Sequence, residues 1–155
     1  MSAALEKAII ARVRGTETLT GDMLLAQQYL VELLGADPPT IVKNSLKSKA
    51  TLPCITFGFD PGPEAMGGVD VGEVRWVIGR FYIWTKARGG SFFSEVADAL
   101  EHLFNGRRGA SNLTLEGDDR TYWSDLFVDL QEPDHEDSTN DFYATLSFKF
   151  VEARP

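Results

Sequence analysis

The chain has 155 residues, 43% of them hydrophobic and 25% charged, with a net charge of −8 and a pI near 4.7. This length predicts a single domain that folds without disulfides or metal, and the acidic balance argues against a nucleic-acid-binding surface, which needs clustered Lys and Arg. The sequence has no apolar run of the roughly 20 residues that cross a bilayer. Its start, MSAALEKAIIARVRG, lacks a signal-peptide pattern. We therefore expect a protein that is made and used in the cytosol.

Two helices are predicted in the first 35 residues. The first is capped by Ser2 and ends at Gly15, and the second begins at Asp22 and ends at Gly35. The apolar side chains of residues 22–34 spread widely around the helix axis. We therefore expect this second helix to be covered on more than one side.

A strand, a basic connector and a second strand follow. The strand TIVK leads to a connector around Lys47 and Lys49, and then to the strand LPCITFGF, in which Cys54 is expected to be a buried small side chain rather than a reactive thiol. Residues 60–72 hold four Gly and two Pro and predict a long loop. Loops of this length are usually functional or disordered. The loop positions that we expect to make contacts are Asp60, Glu64, Met66 and Asp70.

A strand over residues 73–85 passes through a basic Gly-Gly turn into a third helix. Ser91 or Ser94 can cap this helix, and Asn105 with Gly106 ends it. Backbone N–H groups at such a junction can bind phosphate, but two glycines are also explained by the positive φ angles of a turn. Without a phosphate motif, we interpret the junction as architecture. The apolar stripe of the third helix contains Phe93, Val96, Leu100, Leu103 and Phe104.

The remainder predicts three strands, NLTLE, TYWSDLFVDL and FYATLSFKFVEA. The last alternates well, because Phe142, Ala144, Leu146, Phe148 and Phe150 share one side. Such alternation is typical of a half-buried antiparallel strand. The pattern as a whole predicts an α+β fold, in which a mainly antiparallel β-sheet packs with about three helices in a sandwich.

Motifs for catalysis and cofactor binding are missing from the sequence. It contains no P-loop, no dinucleotide-binding fingerprint, no H-E-x-x-H and no G-x-S-x-G. The two histidines, His102 and His135, are too few for a His/Cys metal site. Residues 132–141 are acidic enough to suggest a divalent cation through Asp134, Glu136, Asp137 and Asp141, but they lack EF-hand spacing, and a solvated loop explains them equally well. We expect no enzymatic activity and no cofactor.

The strands carry aromatic side chains on both faces. In strand 73–85, Val77, Phe81 and Ile83 share one side, whereas Val74, Trp76, Ile78, Arg80, Tyr82 and Trp84 share the other. Trp123 and Phe127 likewise oppose the apolar side of their own strand. Either helices cover both faces of the sheet, or another subunit buries one face. The pattern favours neither explanation over the other.

The order of elements resembles the tail terminator (tail completion) proteins of long-tailed phages, prophages and gene transfer agents. The resemblance lies in ALEKAIIARV, LPCITFGF, the long polar loop and RFYIWTKARGGSFFSEVADALEHLF, followed by the strands from Leu113 onward, and it covers most of the chain. Its core match is a strand that ends in Ile83-Trp84-Thr85-Lys86, the glycine turn, and the apolar stripe of the next helix. The second helix is longer and more apolar than the family pattern.

This resemblance implies a structural virion protein without catalytic residues. Such a protein forms a ring of six subunits, caps the head-proximal end of the tail tube and joins it to the head-completion (neck) protein, while DNA passes through the lumen without specific binding. It is assembled in the host cytoplasm and becomes part of the virion. A neck or head-completion protein is the alternative, and a small-molecule-binding α+β domain is a further one.

Two groups of residues are candidates for these contacts. An acidic lumen would repel DNA and let it pass. The expected subunit or tube interface contains Trp76, Tyr82, Trp84, Lys86, Arg88, Trp123 and Phe127, and the expected acidic lumen contains Glu116, Asp118, Asp119, Glu132 and Asp134.

Overall fold

The structure is a computed structural model that describes residues 3–60, 76–86, 90–117 and 120–153. It contains three α-helices, two short 3-10 helices and a mixed sheet, which confirms the predicted α+β class. The α-helices are α1 (Ala3–Arg14), α2 (Gly21–Leu34) and α3 (Phe92–Phe104), and the 3-10 helices are Asn44–Lys49 and Gly106–Arg108. The strands are β1 (Ile41–Lys43), β2 (Cys54–Phe59), β3 (Trp76–Thr85), β4 (Leu113–Thr114), β5 (Thr121–Val128), β6 (Asp134–Glu136) and β7 (Asp141–Ala153).

The sheet has the strand order β1-β2-β3-β7-β5-β4, and β6 pairs with the first residues of β7. All neighbours are antiparallel except β1 and β2, which are parallel. The register places Phe81 between Phe57 of β2 and Leu146 of β7. Because side chains alternate along each strand, this register puts the apolar residues of three strands on the same face.

The core lies between that face and the helices. The ring of Phe81 is 4.9 Å from that of Phe57, 5.7 Å from that of Phe148 and 5.3 Å from that of Phe104 in α3. All five residues of the predicted α3 stripe are buried, as are four of the five residues on the predicted side of β7. Each buried valine, leucine or phenylalanine of this set contributes roughly 1.5–3 kcal/mol through burial.

A buried arginine joins α1 to the segment that follows α3. The side chain of Arg12 is 0% exposed and makes a paired contact with Glu17, at 3.0 and 2.8 Å. It also donates to the carbonyl oxygens of Leu103, Ser111 and Asn112 at 2.8 to 3.2 Å. A guanidinium can be buried here because nearly all of its donors have acceptors.

Helix α2 packs on α3 through one side only. Met23, Ala26, Leu30 and Leu34 are buried, but Leu24, Leu25 and Tyr29 are 38%, 64% and 41% exposed. The prediction that this helix is covered on more than one side is therefore wrong for the single chain. The helix begins at Gly21, next to the predicted Asp22. It ends as predicted at Gly35, whose φ of 65° lets its N–H bond to the carbonyl of Val31.

Three local predictions differ from the structure. The basic connector is a 3-10 helix, and the acidic segment after β5 contains a strand, β6. Neither serine caps α3 with its side chain; Ser91 holds the N-cap position, and the Ser94 hydroxyl donates to the Ser91 carbonyl. The predicted cap Ser2 and residues 73–75 lie outside the described residues. Within the described ranges, no helix has the length and hydropathy needed to cross a bilayer.

Candidate functional site

The candidate site lies on the second face of the sheet, which we call the open face. Its side chains come from Thr56 in β2, the even-numbered positions of β3 and the odd-numbered positions of β7. Among the described residues, the α-helices pack on the opposite face, around Phe81 and Phe148. In the described part of the chain, coverage of both faces by α-helices, one of the two explanations for the aromatic pattern, therefore does not hold, and only the 3-10 helix Asn44–Lys49 borders the second face.

Three aromatic rings form the centre of the open face. The rings of Trp84 and Tyr143 are 4.7 Å apart, and those of Tyr82 and Tyr143 are 6.0 Å apart. The indole N–H of Trp84 donates to the hydroxyl of Thr56 at 3.0 Å, and the ammonium of Lys47 lies 4.3 Å from the indole ring. A cation at this distance is attracted by the face of the ring. The 3-10 helix that replaces the predicted connector delivers Lys47 to this position.

A buried carboxylate holds two lysines next to these rings. Lys47 donates to Oδ2 of Asp141 at 2.6 Å, and Nζ of Lys86 lies 3.1 Å from Oδ1. The side chains of Asp141 and Lys47 are 2% and 14% exposed, whereas that of Lys86 is 71% exposed. Glu136 of β6 lies 3.7 Å from Lys47 on its other side. The charges of these four groups balance.

The ionisation of Asp141 follows from these contacts. Burial raises the pKa of its carboxyl, but the hydrogen bonds from Lys47 and Lys86 outweigh burial, so the pKa is lowered below its usual value. The pKa of the Tyr143 hydroxyl is raised, first by burial and then by Asp134. At neutral pH the site therefore holds an ionised carboxylate and a neutral phenol. These groups are suited to binding and orientation rather than to proton transfer.

The same residues border a depression of about 520 Å³. Its size lies in the range of sites that receive a ligand or a protruding side chain. It is lined by Asn44, Lys47, Thr56, Tyr82, Trp84, His135, Glu136 and Tyr143. Aromatic rings with a few polar groups at the rim are typical of the anchor positions of protein interfaces.

The structure brings together three of the seven predicted interface residues. Tyr82 and Trp84 line the depression, and Lys86 bonds Asp141 at its border. Trp84 is only 7% exposed, because Lys47, Thr56 and Tyr143 surround it. Tyr82 is the more accessible of the two rings.

Of the other four interface predictions, the three that fall on described residues lie away from this centre. Trp76, at the start of β3, has the ammonium of Lys149 5.2 Å from its ring. Trp123 packs so close to Gly106 that a Cβ added there would collide with the indole nitrogen. Phe127 is 54% exposed near the end of β5. Arg88 lies outside the described residues.

The predicted contact loop and acidic lumen are described only in part. Asp60 bonds Arg80 at 2.8 Å, whereas Glu64, Met66, Asp70, Asp118 and Asp119 lie outside the described residues. Glu116 is exposed beside Lys7, and Glu132 and Asp134 are exposed near β6. Strand β6 pairs with the first residues of β7, whereas Glu116 follows β4, whose partner β5 pairs with the last residues of β7. About 30 Å of strand therefore separates the two acidic groups.

The acidic residues around β6 contact other side chains of the chain. Asp134 accepts from the hydroxyl of Tyr143 at 3.3 Å, and Asp137 lies 3.0 Å from a ring nitrogen of His135. Asp141 bonds the two lysines. Across the described residues, no three His, Cys, Asp or Glu side chains are arranged to hold a metal ion. The cation site considered for residues 132–141 is therefore not assembled.

Cys54 is 0% exposed at the edge of the core. Burial raises the pKa of its thiol to about 11, against a smaller opposite effect of Lys47. The thiol is therefore protonated at neutral pH and is a weak nucleophile. Its burial confirms the interpretation as a small core side chain.

Sequence reasoning missed most of the polar half of the site. In the sequence, Lys47 stands out only as part of a basic connector, and Asp141 only as one member of an acidic run. Their pairing joins positions 94 residues apart, and no local pattern marks it. The available signal was the alternation of β7, which places Tyr143 on the same face as Trp84 once the strands are paired.

The comparisons with known proteins do not assign the chain to a family. No protein-family model matches it, and no curated protein matches it either.

Proposed function

We propose that the chain is a tail-terminator-like structural protein that assembles into a ring at the head-proximal end of a phage tail tube. The order of sequence elements that resembles this family is one support. The observation that carries the proposal is the open face, on which no α-helix of the described residues packs and where the half-buried rings of Tyr82 and Tyr143 adjoin a charge-balanced lysine–aspartate group. Such a surface is suited to a protein partner.

The chemistry of the open face supports an assembly role over catalysis. Asp141 is held ionised by Lys47 and Lys86, and the thiol of Cys54 is protonated and buried. Neither group is prepared to give or take a proton near neutral pH. The half-buried ring of Tyr82 and the exposed side chain of Phe127 instead offer apolar contact area.

The test is deletion of the gene from the phage or prophage that carries it, with tail lengths measured by negative-stain electron microscopy. Overlong tubes without heads are expected, because nothing else would stop the tube polymer at its normal length. Tails of normal length beside separate heads would instead assign the protein to the neck. Unchanged particles, or a gene that lies in no phage-like cluster beside a tail-tube gene, would overturn the proposal.

Complementation with variants tests the open face itself. Tyr82→Ala is expected to leave the chain folded and to restore tail length less well than the wild type, because it removes accessible apolar area. Trp84→Ala is a poorer test, because Trp84 is buried and its loss also destabilises the chain. The matched control is Thr18→Ala, an exposed position in the segment between α1 and α2. Equal rescue by Tyr82→Ala and this control would exclude the open face as a contact.

A further inference from the structure

Helix α2 presents an exposed apolar stripe with acidic ends, which we call the acidic stripe. Asp22, Leu25, Tyr29 and Glu32 follow one another at spacings of three, four and three residues and so lie along one line of the helix surface. Leu25 is 64% exposed and Tyr29 is 41% exposed. The sequence of α2 contains no Lys or Arg. An exposed leucine and tyrosine between two acids form an apolar surface with a negative rim.

A cleft of about 330 Å³ runs beside this stripe, between α2 and α3. Leu25, Ala26 and Tyr29 form one wall, and Asp98 and His102 of α3 belong to the other. The cleft is large enough to receive an aliphatic side chain. Asp22 lies at the cleft as well, and the Tyr29 hydroxyl is bonded to Glu95, whereas the carboxylate of Asp98 is paired with Arg108 at 2.8 Å.

The 3-10 helix Asn44–Lys49 presents the opposite combination, which we call the basic patch. Leu46 is 40% exposed, the side chain of Lys43 is 55% exposed, and Lys49 is exposed. Residues 43–49 contain three lysines and no acid. One of them, Lys47, points into the open face, and Lys43 also contacts Glu6 at 3.1 Å. Leu46 therefore protrudes between two solvent-accessible ammonium groups.

The two surfaces lie on different sides of the chain. The acidic stripe is on the helix layer, where α2 packs against α3, whereas the basic patch follows β1 at the far edge of the sheet. Two acidic stripes placed against each other would bring Asp22 and Glu32 of both copies together, and this like-charge arrangement is costly. A stripe placed against a basic patch instead pairs opposite charges around two exposed leucines.

We propose that the acidic stripe of one copy binds the basic patch of the next copy, with Leu46 seated in the cleft beside Leu25. This inference rests on the proposed function, since a head-to-tail contact between unlike surfaces generates a closed ring when its rotation closes. The interface is heterologous: each copy uses its stripe toward one neighbour and its patch toward the other. The open face then stays available for the tube or the neck.

Disulfide trapping between two variants that each carry one added cysteine tests this contact. Leu25→Cys and Leu46→Cys chains are purified separately, mixed, and oxidised, and covalent dimers are counted on non-reducing gels. Native Cys54 is buried and contributes little background. We expect covalent dimers in the mixture and their loss when either variant is oxidised alone. Dimers in the Leu25→Cys sample alone would show a symmetric contact and overturn the proposal.

Reversal of one charge on each surface tests the same contact independently, in chains that carry only the native cysteine. Glu32→Lys and Lys49→Glu are each expected to lower the assembled mass in sedimentation velocity, and mixing the two variants or combining the changes is expected to restore it. Asp129→Lys, a charge reversal at an exposed position after β5, is the matched control and should keep the wild-type mass. Circular dichroism checks that every variant is folded. If the wild type assembles and neither charge reversal lowers its mass, this interface is overturned and the proposed function is unaffected. If the wild type stays monomeric at every concentration, the interface is overturned as well. Tail length in the deletion experiment tests the proposed function separately.

Discussion

Removing the carboxylate of Asp141 should destabilise the chain strongly although the residue lies outside the apolar core. In Asp141→Asn, the partner of Lys47 changes from a carboxylate to a neutral amide, and the ammonium keeps Glu136, at 3.7 Å, and the indole ring of Trp84, at 4.3 Å, as its two other contacts. Breaking a buried ion pair by removing one partner typically costs about 3–5 kcal/mol. Because Lys47 retains those two contacts, and the exposed Lys86 gains little from its bond, we expect a loss of about 2–3 kcal/mol.

The measurement is urea unfolding followed by circular dichroism, with thermal unfolding beside it. The expected loss corresponds to a decrease in Tm of roughly 5–10 °C for a chain of this length. Asp137→Asn is the matched control, because its side chain is 99% exposed and its loss should be nearly neutral. Lys47→Met combined with Asp141→Leu should recover part of the stability, since no charge is then left buried alone. A change below about 0.5 kcal/mol in Asp141→Asn would refute this account of the pair.

The same pair predicts a pH dependence with a definite sign. The pKa of Asp141 is lower in the folded chain than its ordinary value, so the unfolded chain takes up this proton first as the pH falls. The stabilisation is fully present above the unfolded pKa of about 3.9 and is lost as the pH falls through the folded value. The stability difference between wild type and Asp141→Asn should therefore be constant near neutrality and shrink below about pH 4. A difference that grew on acidification would contradict the assignment.

Two further predictions concern the core. Arg12→Met should lower the free energy of unfolding in urea by about 3–5 kcal/mol, because it leaves three carbonyl groups and Glu17 without their donor. Arg14→Met, an exposed change in the same helix, should lower it by less than about 0.5 kcal/mol. Equal effects of the two changes would contradict the stabilising role of Arg12. Gly79→Ala should lower the free energy of unfolding by about 1–3 kcal/mol, because its Cβ would come within 2.6 to 2.9 Å of two core phenylalanine rings. Gly58→Ala should lower it less, since its Cβ meets the movable end of the Asn44 side chain. A larger loss in Gly58→Ala than in Gly79→Ala would contradict this packing.

The elements that could be predicted from the sequence are those whose burial pattern is regular and local. The apolar stripe of α3 repeats with the helical period over three turns or more. The apolar side chains of β7 alternate with the two-residue period of a strand over ten residues. The short strand β6 could not be predicted in this way. It has three residues, all polar or charged, and it is a strand only because β7 offers backbone partners beside Phe142.

The polar contacts of the site could not be predicted because they join distant parts of the chain. Arg12 bonds carbonyls 91 to 100 residues away, and nothing in its own helix marks it as buried. For α2, the sequence shows apolar side chains around the helix, but the burial that this pattern predicts does not occur within the single chain. A helix whose leucines face outward carries the pattern of burial without a partner in the same molecule, which is the basis of the proposed contact between copies.

Strand β7 has a consequence for how the protein is made. It lies between β3 and β5, pairs with both and with β6, and follows all of them in the chain. During synthesis, one edge of β3 therefore has no strand partner, and Phe81 lacks its packing against β7, until β7 has left the ribosome. Incomplete sheets of this kind are prone to aggregate. Chains that end before Asp141 should therefore accumulate as insoluble material, although all three α-helices are present in them.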